Sequence, residues 1–531
     1  MAGLKGPPYT RGHMKRSLFS ALLLFAAATL ASAAITEPVK TDAGLVSGAA
    51  GNDAAVRVFK GIPFAAPPVG PLRWRAPQPP AKWDGVRAAT TFGPRCMQGG
   101  GGGRAGAPPP PPTSEDCLYI NVWTTADSST AKLPVMVWSY GGAFTQGSGT
   151  TPAYDGEALA KKGVIFVTYN YRLGPFGFYA HPELTKESGH NASGNYGVMD
   201  LHAALKWVQA NIAAFGGDPK RVTLVGESAG AALESVLVGS KEGRDLYQRV
   251  IAESASWSGV RMEKMQTLAE AEAAGKAGAE KIGAISLADL RAKPADDIMK
   301  MPGGRPIVDG WYVTEDLSKT YATRRQSDVD VLVGSNENEA GFPFFGVPKG
   351  TAAEFVAQVK ERFGDHADAF LKIYPARTDT ESNASQLASF TDEVAWNMRS
   401  WALSQSNKRK GKARLYFFTK TPPANGNQPS RGAIHTAEIP YALGNGARNW
   451  TASDRALSET MTSYWVNFAA SGNPNGKGLP VWPEFQSERG RTMILGDRVE
   501  SGEPLKADKI ALFDFAFAKM MGQSPRATSG N

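Results

Sequence analysis

Residues 221–230 have the sequence Arg221-Val222-Thr223-Leu224-Val225-Gly226-Glu227-Ser228-Ala229-Gly230. The apolar run at 222–225 predicts a buried strand, and the run at 231–237 suits a helix. The Gly-x-Ser-x-Gly turn between them is tight, so its glycines let the chain fold back while the serine is held above the sheet. At a helix N-terminus, backbone N–H groups favour the negative charge that develops during nucleophilic attack. The pattern predicts that Ser228 is a nucleophile, with an ordinary glycine-rich connection as the alternative.

The N-terminal residues predict a removable export signal. Lys15-Arg16 precedes an apolar run from Leu18 to Leu30 and the small-x-small sequence Ala31-Ser32-Ala33, which is the pattern of a cleaved signal peptide. The apolar run is too short to span a bilayer comfortably. We therefore interpret residues 1–33 as a signal peptide cleaved after Ala33, and we expect a secreted or periplasmic protein without a membrane anchor once the signal is removed.

The rest of the chain has the composition of a well-packed protein. Of the 531 residues, 42% are hydrophobic and 20% are charged, which is typical of globular domains. The formal net charge is +8, and residues 1–33 contribute four basic residues and no acidic residue to it. The charge that remains after their removal is too dilute for a nucleic-acid-binding surface, so no nucleic-acid partner is expected.

The two cysteines, Cys96 and Cys117, predict one disulfide, because thiols of exported proteins are usually oxidised. Closing a loop of about twenty residues would stabilise the fold by roughly 3 kcal/mol. The loop is rich in glycine at 99–103 and in proline at 108–112, so it is either a tolerated surface insertion or a lid over a pocket. Two cysteines without a histidine cluster make a poor metal site, and neither a metal nor another cofactor is expected.

Continuous apolar runs predict strands that are buried on both faces, as in a largely parallel sheet. These runs lie at 133–138, 164–169, 249–252, 329–333 and 414–418, and helical patterns lie at 199–213, 262–300 and 456–470. The proline-rich segment 59–74 predicts an irregular surface meander instead. Strands that alternate with helices predict an α/β fold, which we assign to one domain over residues 34–520 followed by a flexible tail at 521–531.

A serine hydroxyl needs a base to take its proton, and histidine is suited to that role at neutral pH. Of the six histidines, His435 follows a late predicted strand by a loop, where a hydrolase of this fold class places its base. The acid that orients the base should come earlier in the chain. Glu337 and Glu339 both lie just past the predicted strand at 329–333, and from the residues alone either can serve.

Stabilisation of an oxyanion needs backbone N–H groups that point at the carbonyl oxygen as it becomes negative. Gly141-Gly142-Ala143 follows the predicted strand at 133–138, and its small residues allow the backbone to approach a substrate closely. The amides of Gly142, Ala143 and Ala229 are therefore predicted to form the oxyanion hole.

Several spaced motifs carry a resemblance to a known family. They are Phe59-Lys60-Gly61-Ile62-Pro63-Phe64-Ala65, Glu115-Asp116-Cys117-Leu118-Tyr119-Ile120-Asn121-Val122, Gly194-Asn195-Tyr196-Gly197 with Asp200, Phe215-Gly216-Gly217-Asp218-Pro219, and the Ser228 turn. With these motifs in order, the chain resembles the type-B carboxylesterases of the cholinesterase-like α/β-hydrolases over nearly all of residues 36–515. The resemblance implies an α/β-hydrolase fold, with a large, mostly parallel central sheet flanked by helices on both faces.

The resemblance also implies roles for individual residues. Ser228 would be the nucleophile and His435 the base, and Glu339 would be the acid because the family's acid stands five residues after the glycine that matches Gly334. Cys96 and Cys117 match the family's first disulfide. Two further residues would stand behind the triad: Glu227, from the elbow motif, and Ser254, which matches a serine that supports the acid.

Three departures from the family pattern bear on specificity. Tyr140 stands where the family often has histidine before the oxyanion glycines, and Ala143 replaces a third glycine, which adds a methyl group where an acyl chain would lie. The loop between the cysteines has glycine and proline in place of the aromatic residue that binds choline in cholinesterases. Without that cation–π platform, a choline ester is not the expected substrate.

These features together predict a serine carboxylic-ester hydrolase that acts on a small-molecule ester through an acyl-enzyme intermediate. One alternative is a non-catalytic binding or adhesion protein on the same fold. Amidases, lactonases and acyltransferases would use the same triad and are further alternatives. The sequence leaves the acyl length, the alcohol and the oligomeric state open.

Overall fold

The computed structural model describes residues 1, 3, 4, 6, 35 and 37–522, except 100–109, 260–263, 347, 349, 407, 409, 425–428, 488 and 489. Almost all of the predicted signal peptide, its cleavage site after Ala33, residues 100–109 of the glycine- and proline-rich loop, and the tail from 523 onward lie outside the described residues. All described strands and helices lie between residues 39 and 520, and the described residues of this range form one compact unit.

Sixteen strands are found among the described residues. They are β1 (Val39–Lys40), β2 (Leu45–Ser47), β3 (Ala49–Ala50), β4 (Arg57–Pro63), β5 (Val86–Ala88), β6 (Arg95–Cys96), β7 (Thr113–Ser114), β8 (Tyr119–Thr124), β9 (Leu133–Ser139), β10 (Ile165–Tyr169), β11 (Gly217–Glu227), β12 (Arg249–Glu253), β13 (Asp330–Asn336), β14 (Ala413–Phe418), β15 (Thr492–Leu495) and β16 (Val499–Gly502).

The α-helices of the described residues are α1 (Glu157–Ala160), α2 (Gly174–Gly177), α3 (Pro182–Glu187), α4 (Tyr196–Asn211), α5 (Ala229–Gly239), α6 (Leu268–Lys281), α7 (Leu287–Ala292), α8 (Ala295–Ile298), α9 (Leu317–Ala322), α10 (Ala352–Phe363), α11 (Ala367–Ile373), α12 (Asp379–Ser406), α13 (Ile439–Leu443), α14 (Ala452–Ser471) and α15 (Ala507–Met520). No helix of the described residues is both long enough and apolar enough to cross a bilayer.

The main sheet has 11 strands in the order β16-β15-β14-β13-β12-β11-β9-β10-β8-β4-β3. The run from β15 to β10 is parallel throughout, whereas β16, β8, β4 and β3 pair antiparallel at the two ends. Helices flank this sheet, with α5 packed on β11 and α12 on β13 and β14. The α/β-hydrolase architecture predicted from the sequence is therefore confirmed.

The central strands are buried because helices cover the sheet. In β11, Val222, Leu224 and Val225 have no exposed surface, and residues 223–226 pair in parallel register with both β9 and β12. Continuous apolarity is therefore the pattern expected of such strands. Because parallel strands point the same way, β9, β11, β12 and β13 end at one edge of the sheet, and the polar residues that follow them meet there.

Two predicted segments differ from the structure in detail. The prediction of a continuous irregular meander at 59–74 is wrong, because the first residues of this segment belong to β4, which pairs with β8. A register shift between Phe59 and Ile62 accommodates Gly61 at φ +71°, so the ladder passes the glycine and ends at Pro63. The region at 262–300, predicted to be helical, contains three helices, α6, α7 and α8, with connections between them.

The predicted disulfide is present. Cys96 and Cys117 are bonded, with their Cα atoms 4.9 Å apart, and both cysteines are buried. The bond joins β6 to the segment just before β8, so it closes the base of the glycine- and proline-rich loop.

Candidate active site

Ser228 occupies a sharp turn between β11 and α5. Its backbone angles are φ 54° and ψ −124°, a strained conformation for a residue with a side chain. The Ser228 N–H donates to the Glu253 carbonyl at 2.8 Å, and the Ser228 carbonyl accepts from the Ala232 N–H at 2.9 Å. These bonds to a neighbouring strand and to the next helical turn hold the serine in place, as the nucleophile elbow requires.

The glycines of this region are required by close backbone approach. A Cβ built on Gly230 would overlap the Ser139 carbonyl oxygen at the end of β9. A Cβ on Gly141 would lie 2.8 Å from the Ser228 Cβ, which is closer than side-chain carbon atoms can come. The loop that starts at Gly141 therefore lies directly against the serine.

The end of β13 and the loop that follows it are joined to the loop after β14 by two hydrogen bonds, both accepted by main-chain carbonyls. The Asn338 N–H donates to the Ala433 carbonyl at 2.9 Å, and the Asn336 side-chain amide donates to the Ile434 carbonyl at 2.9 Å. Because the first loop carries Glu339 and the second carries His435, these bonds set the position of one side chain relative to the other.

The Glu339 carboxylate contacts the His435 imidazole. Glu339 Oε2 lies 2.6 Å from His435 Nδ1, and Glu339 Oε1 accepts the Asn336 N–H at 2.8 Å. Glu339 is 0% exposed and His435 is 5% exposed. A buried carboxylate at Nδ1 favours the tautomer that carries a proton there and leaves Nε2 as an acceptor. Glu337, the other acid considered from the sequence, is exposed.

Nε2 of His435 points toward the elbow. It lies 3.1 Å from Oε1 of Glu227, the residue immediately before Ser228. No hydrogen bond among those of the described residues joins the Ser228 hydroxyl to the imidazole. Catalytic hydrogen bonds of this kind often tighten only when substrate binds. The structure thus places His435 in contact with both Glu339 and Glu227, and Ser228 directly follows Glu227 in the chain.

Further glutamates lie beneath these residues, and Glu234, Glu253 and Glu438 were not expected from the sequence. All three are 0% exposed. Burial raises the pKa of Glu253 to about 8, and it raises the pKa of Glu438 and of Glu234 well above the usual range. Burial also raises the pKa of Glu227 to about 7, although His435 opposes this shift. An acid at the end of an apolar strand, as in β12, is the signal that could have revealed Glu253.

Ser254, which the resemblance places in support of the acid, contacts Glu438. Its hydroxyl donates to Glu438 Oε1 at 3.5 Å, a long bond, rather than directly to Glu339. The Asn336 side chain also donates to Glu438, while the Asn336 main chain bonds Glu339. Support of the acid therefore comes directly from Asn336, and Ser254 is linked to it only through Glu438.

The predicted oxyanion loop has an unusual backbone. Gly142 has φ +117°, and Ala143 and Phe144 have φ 53° and 63°. The Gly142 carbonyl accepts the N–H groups of Thr145 and Gln146 at 3.0 and 3.1 Å. A turn of this kind directs successive N–H groups outward. The positive φ at residue 143 favours glycine, which is the residue of the family pattern there, and Ala143 adopts the same left-handed conformation.

Tyr140 fills the position where the sequence departs from the family pattern. Its ring stacks on that of Tyr171 with centroids 4.5 Å apart, and the Tyr171 hydroxyl donates to the Tyr140 carbonyl at 2.8 Å. The pair fixes the main chain just before Gly141.

On the other side of the site, the rings of Phe342 and Phe345 lie 5.8 and 5.1 Å from the His435 ring and give it an apolar wall.

Within the described part of the chain, no group of three or more His, Cys, Asp or Glu residues is arranged to hold a metal ion. The buried glutamates beneath the elbow are therefore not brought together as metal ligands. Their side chains are part of the protein interior that supports the turn.

Comparison with known proteins gives consistent matches over the whole domain. Residues 36–513 match the model of the carboxylesterase family. The chain is 39% identical over 485 residues to fumonisin B1 esterase of Sphingopyxis macrogoltabida, covering 88% of this chain and 87% of that protein. It is 35% identical over 494 residues to para-nitrobenzyl esterase of Bacillus subtilis, covering 87% of this chain and 95% of that protein.

Solved structures give the same result. A PNB esterase superposes with a TM-score of 0.77 at 33% identity, covering 90% of this chain and 99% of that one. A thermophilic PNB esterase superposes with a TM-score of 0.78 at 32% identity and the same coverage. The similarity therefore extends over the fold as well as over the sequence.

Proposed function

The chain belongs to the carboxylesterase family and is a carboxylic-ester hydrolase, and on this premise we propose that Ser228 is its nucleophile, His435 its general base and Glu339 the acid that orients the base. The observation that carries this proposal is the 2.6 Å contact of Glu339 with His435 Nδ1. It lies beside a serine in the strained conformation of a nucleophile elbow.

In the first half of the reaction, Ser228 Oγ attacks the ester carbonyl carbon while His435 Nε2 takes the hydroxyl proton. The imidazolium that forms is stabilised by the Glu339 carboxylate at Nδ1. The tetrahedral intermediate then collapses, the bond to the alcohol breaks, and His435 gives its proton to the leaving oxygen. The products of this half are the free alcohol and an ester between the acyl group and Ser228.

In the second half, His435 takes a proton from water, and the resulting hydroxide attacks the acyl-enzyme carbonyl. Collapse returns the proton to Ser228 and releases the carboxylic acid. In both halves the carbonyl oxygen becomes negative, and the N–H groups of Gly142, Ala143 and Ala229 stabilise it. Removal of one such donor typically costs roughly 3 kcal/mol of barrier.

We also propose that residues 1–33 are removed during export and that the mature enzyme acts on small-molecule esters outside the cytoplasm. A buried disulfide supports export, because such bonds persist in oxidising compartments. The glycine- and proline-rich loop argues against choline esters as substrates. The names of the relatives support small-molecule ester substrates in general.

The test is a Ser228→Ala variant assayed with a short-chain p-nitrophenyl ester. Hydrolysis should fall to the background rate, because no nucleophile remains, while circular dichroism stays unchanged. Replacement of the exposed Ser129 by alanine is the matched control and should leave turnover unaffected. A fluorophosphonate probe should label the wild type and Ser129→Ala but not Ser228→Ala. Turnover like that of the wild type in Ser228→Ala would refute the assignment.

A further inference from the structure

Gln98 is a buried polar residue that has no part in the reaction steps above. It lies two residues after Cys96 and is 9% exposed. Its Oε1 accepts the Gly147 N–H at 3.0 Å. Its Nε2 donates to the Gly147 carbonyl at 2.8 Å and to the Cys96 carbonyl at 3.0 Å. The Gln98 amide thus forms three hydrogen bonds, one with its oxygen and two with its N–H groups, to the main chain of Gly147 and Cys96.

Gly147 closes the loop that carries the proposed oxyanion donors. The glycine has φ +116°, and a Cβ on it would lie 2.5 Å from the Tyr140 ring and 2.6 Å from the Gly141 carbonyl oxygen. The glycine backbone therefore packs directly against the first residues of the loop. Because residues 141–147 form a tight turn closed on Gly142, a displacement of Gly147 is transmitted to the amides at 142 and 143.

A second side-chain amide fastens the next residues of the chain to the same disulfide. Asn170 Oδ1 accepts the Gly149 N–H at 3.0 Å. Asn170 Nδ2 donates to the Pro94 carbonyl at 2.9 Å and to the Cys117 carbonyl at 3.1 Å. Gln98 and Asn170 thus connect the segment at 147–149 to the two segments of the chain that the Cys96–Cys117 disulfide joins.

We propose that Gln98 is a positioning residue for the oxyanion hole and that the Cys96–Cys117 disulfide is the anchor from which it acts. This inference rests on the proposed function, because it takes the Gly142 and Ala143 amides as the donors. Stabilisation of an oxyanion depends on donors that are fixed before the charge develops. Because Gln98 bonds both the N–H and the carbonyl of Gly147, the loop is restrained from moving the Gly142 and Ala143 amides out of position.

The first test replaces Gln98 by methionine, which has a similar volume and length but cannot form these hydrogen bonds. We expect kcat for a p-nitrophenyl ester to fall about tenfold or more, with KM changed less than about twofold, because the lost interaction acts on the transition state. Affinity for a trifluoromethyl ketone, whose adduct with Ser228 places an oxyanion in the hole, should fall by the same factor as kcat.

The matched control is Gln78→Met. Gln78 is exposed, and its one side-chain hydrogen bond among the described residues goes to the nearby Ala76 carbonyl, so kcat and ketone affinity should stay at the wild-type values. If Gln98→Met keeps its kcat within twofold, or loses kcat without losing affinity for the ketone, the proposal is wrong. If Ser228→Ala itself remained active, the proposed function would fail instead, so the two failures are distinguishable.

Gln98→Glu provides a second variant should the methionine variant not fold. Its carboxylate accepts the Gly147 N–H but cannot donate to the Gly147 carbonyl, whereas the protonated acid can do both. The ratio of kcat for Gln98→Glu to kcat for the wild type should therefore rise as the pH is lowered. A ratio that does not change with pH would contradict the positioning role.

The anchor is tested with Cys96→Ser/Cys117→Ser, made in the wild type and in Gln98→Met. Loss of the disulfide should lower kcat in the wild type and should lower it much less once Gln98 is gone, because both changes release the same loop. Independent, multiplicative losses would overturn the role of the disulfide as the anchor.

Discussion

The Glu339 carboxylate and the His435 imidazole lie 2.6 Å apart in the protein interior, although 96 positions separate them in the chain. The contact depends on the loops after β13 and β14, which are held together by the bond of the Asn338 N–H to the Ala433 carbonyl. An imidazole fixed in this way presents the same nitrogen toward the elbow in every molecule, so the electrostatic role of Glu339 can be tested separately from its packing.

Replacement of Glu339 by glutamine should lower kcat by about 10³–10⁴-fold, because an amide favours the wrong imidazole tautomer and does not stabilise the imidazolium. Glu337→Gln is the matched control. That side chain is exposed two residues earlier, and its replacement should change kcat less than about threefold. Steady-state hydrolysis of a p-nitrophenyl ester measures both variants, and the opposite order of effects would move the acid to Glu337.

Replacement of Gly230 by alanine should destabilise the protein and abolish turnover, because the new Cβ would overlap the Ser139 carbonyl oxygen. Relief of the overlap requires β9 and α5 to separate at the elbow. We expect a cost of about 3 kcal/mol or more in the free energy of unfolding, at the upper end for single substitutions. Gly99→Ala is the control, since no atom of the described residues lies within 4 Å of the Cβ position there. Equal stability of the two variants in urea titrations would show that the elbow tolerates the side chain.

Much of the fold could be predicted because its signals are local. The apolar runs at 133–138, 164–169, 249–252, 329–333 and 414–418 correspond to β9, β10, β12, β13 and β14. The Ser228 turn could be predicted for the same reason, since the sharp reversal has to be made by adjacent residues. In contrast, the residues at 59–63 contain two signals that compete, and their pairing with β8 outweighs the proline and glycine.

The surroundings of the triad could not be predicted, because they depend on contacts between distant segments. Glu253 is buried against Trp465, whose indole N–H donates to its carboxyl at 2.9 Å across 212 positions of the chain. The sequence near Glu253 carries no trace of that partner. The contacts of Ser254 could not be predicted for the same reason, because its hydroxyl reaches Glu438, 184 positions away in the chain.

The backbone angle at Ala143 leads to a prediction about side-chain shape. Its φ of 53° is tolerated by alanine and glycine but strongly disfavoured for β-branched residues. Ala143→Val should force the loop out of this conformation and lower kcat at least about tenfold, by displacing a proposed oxyanion donor. Ala143→Gly should keep kcat within about threefold. If the valine variant hydrolysed a p-nitrophenyl ester as well as the glycine variant, the amide of residue 143 would not be a donor.

The buried Glu253 carboxyl leads to a prediction about stability and pH. Burial raises its pKa from the ordinary value near 4.5 to about 8, with a smaller contribution from Glu227 and an opposing one from the Trp465 hydrogen bond. Between those two pH values, the unfolded chain has released a proton that the native protein keeps. The free energy of unfolding is therefore reduced as the pH rises through this window.

Glu253→Gln should remove that loss, because glutamine keeps an oxygen for the Trp465 N–H and does not ionise. Relative to the wild type, the free energy of unfolding of Glu253→Gln should therefore increase by roughly 1–3 kcal/mol between pH 5 and pH 8. Urea titrations at the two pH values measure this difference, and Glu337→Gln, at an exposed glutamate, should show a difference that is nearly constant with pH. If the Glu253→Gln difference were equally constant, Glu253 would already be ionised in the native protein at pH 5, and its burial would be balanced by a positive charge.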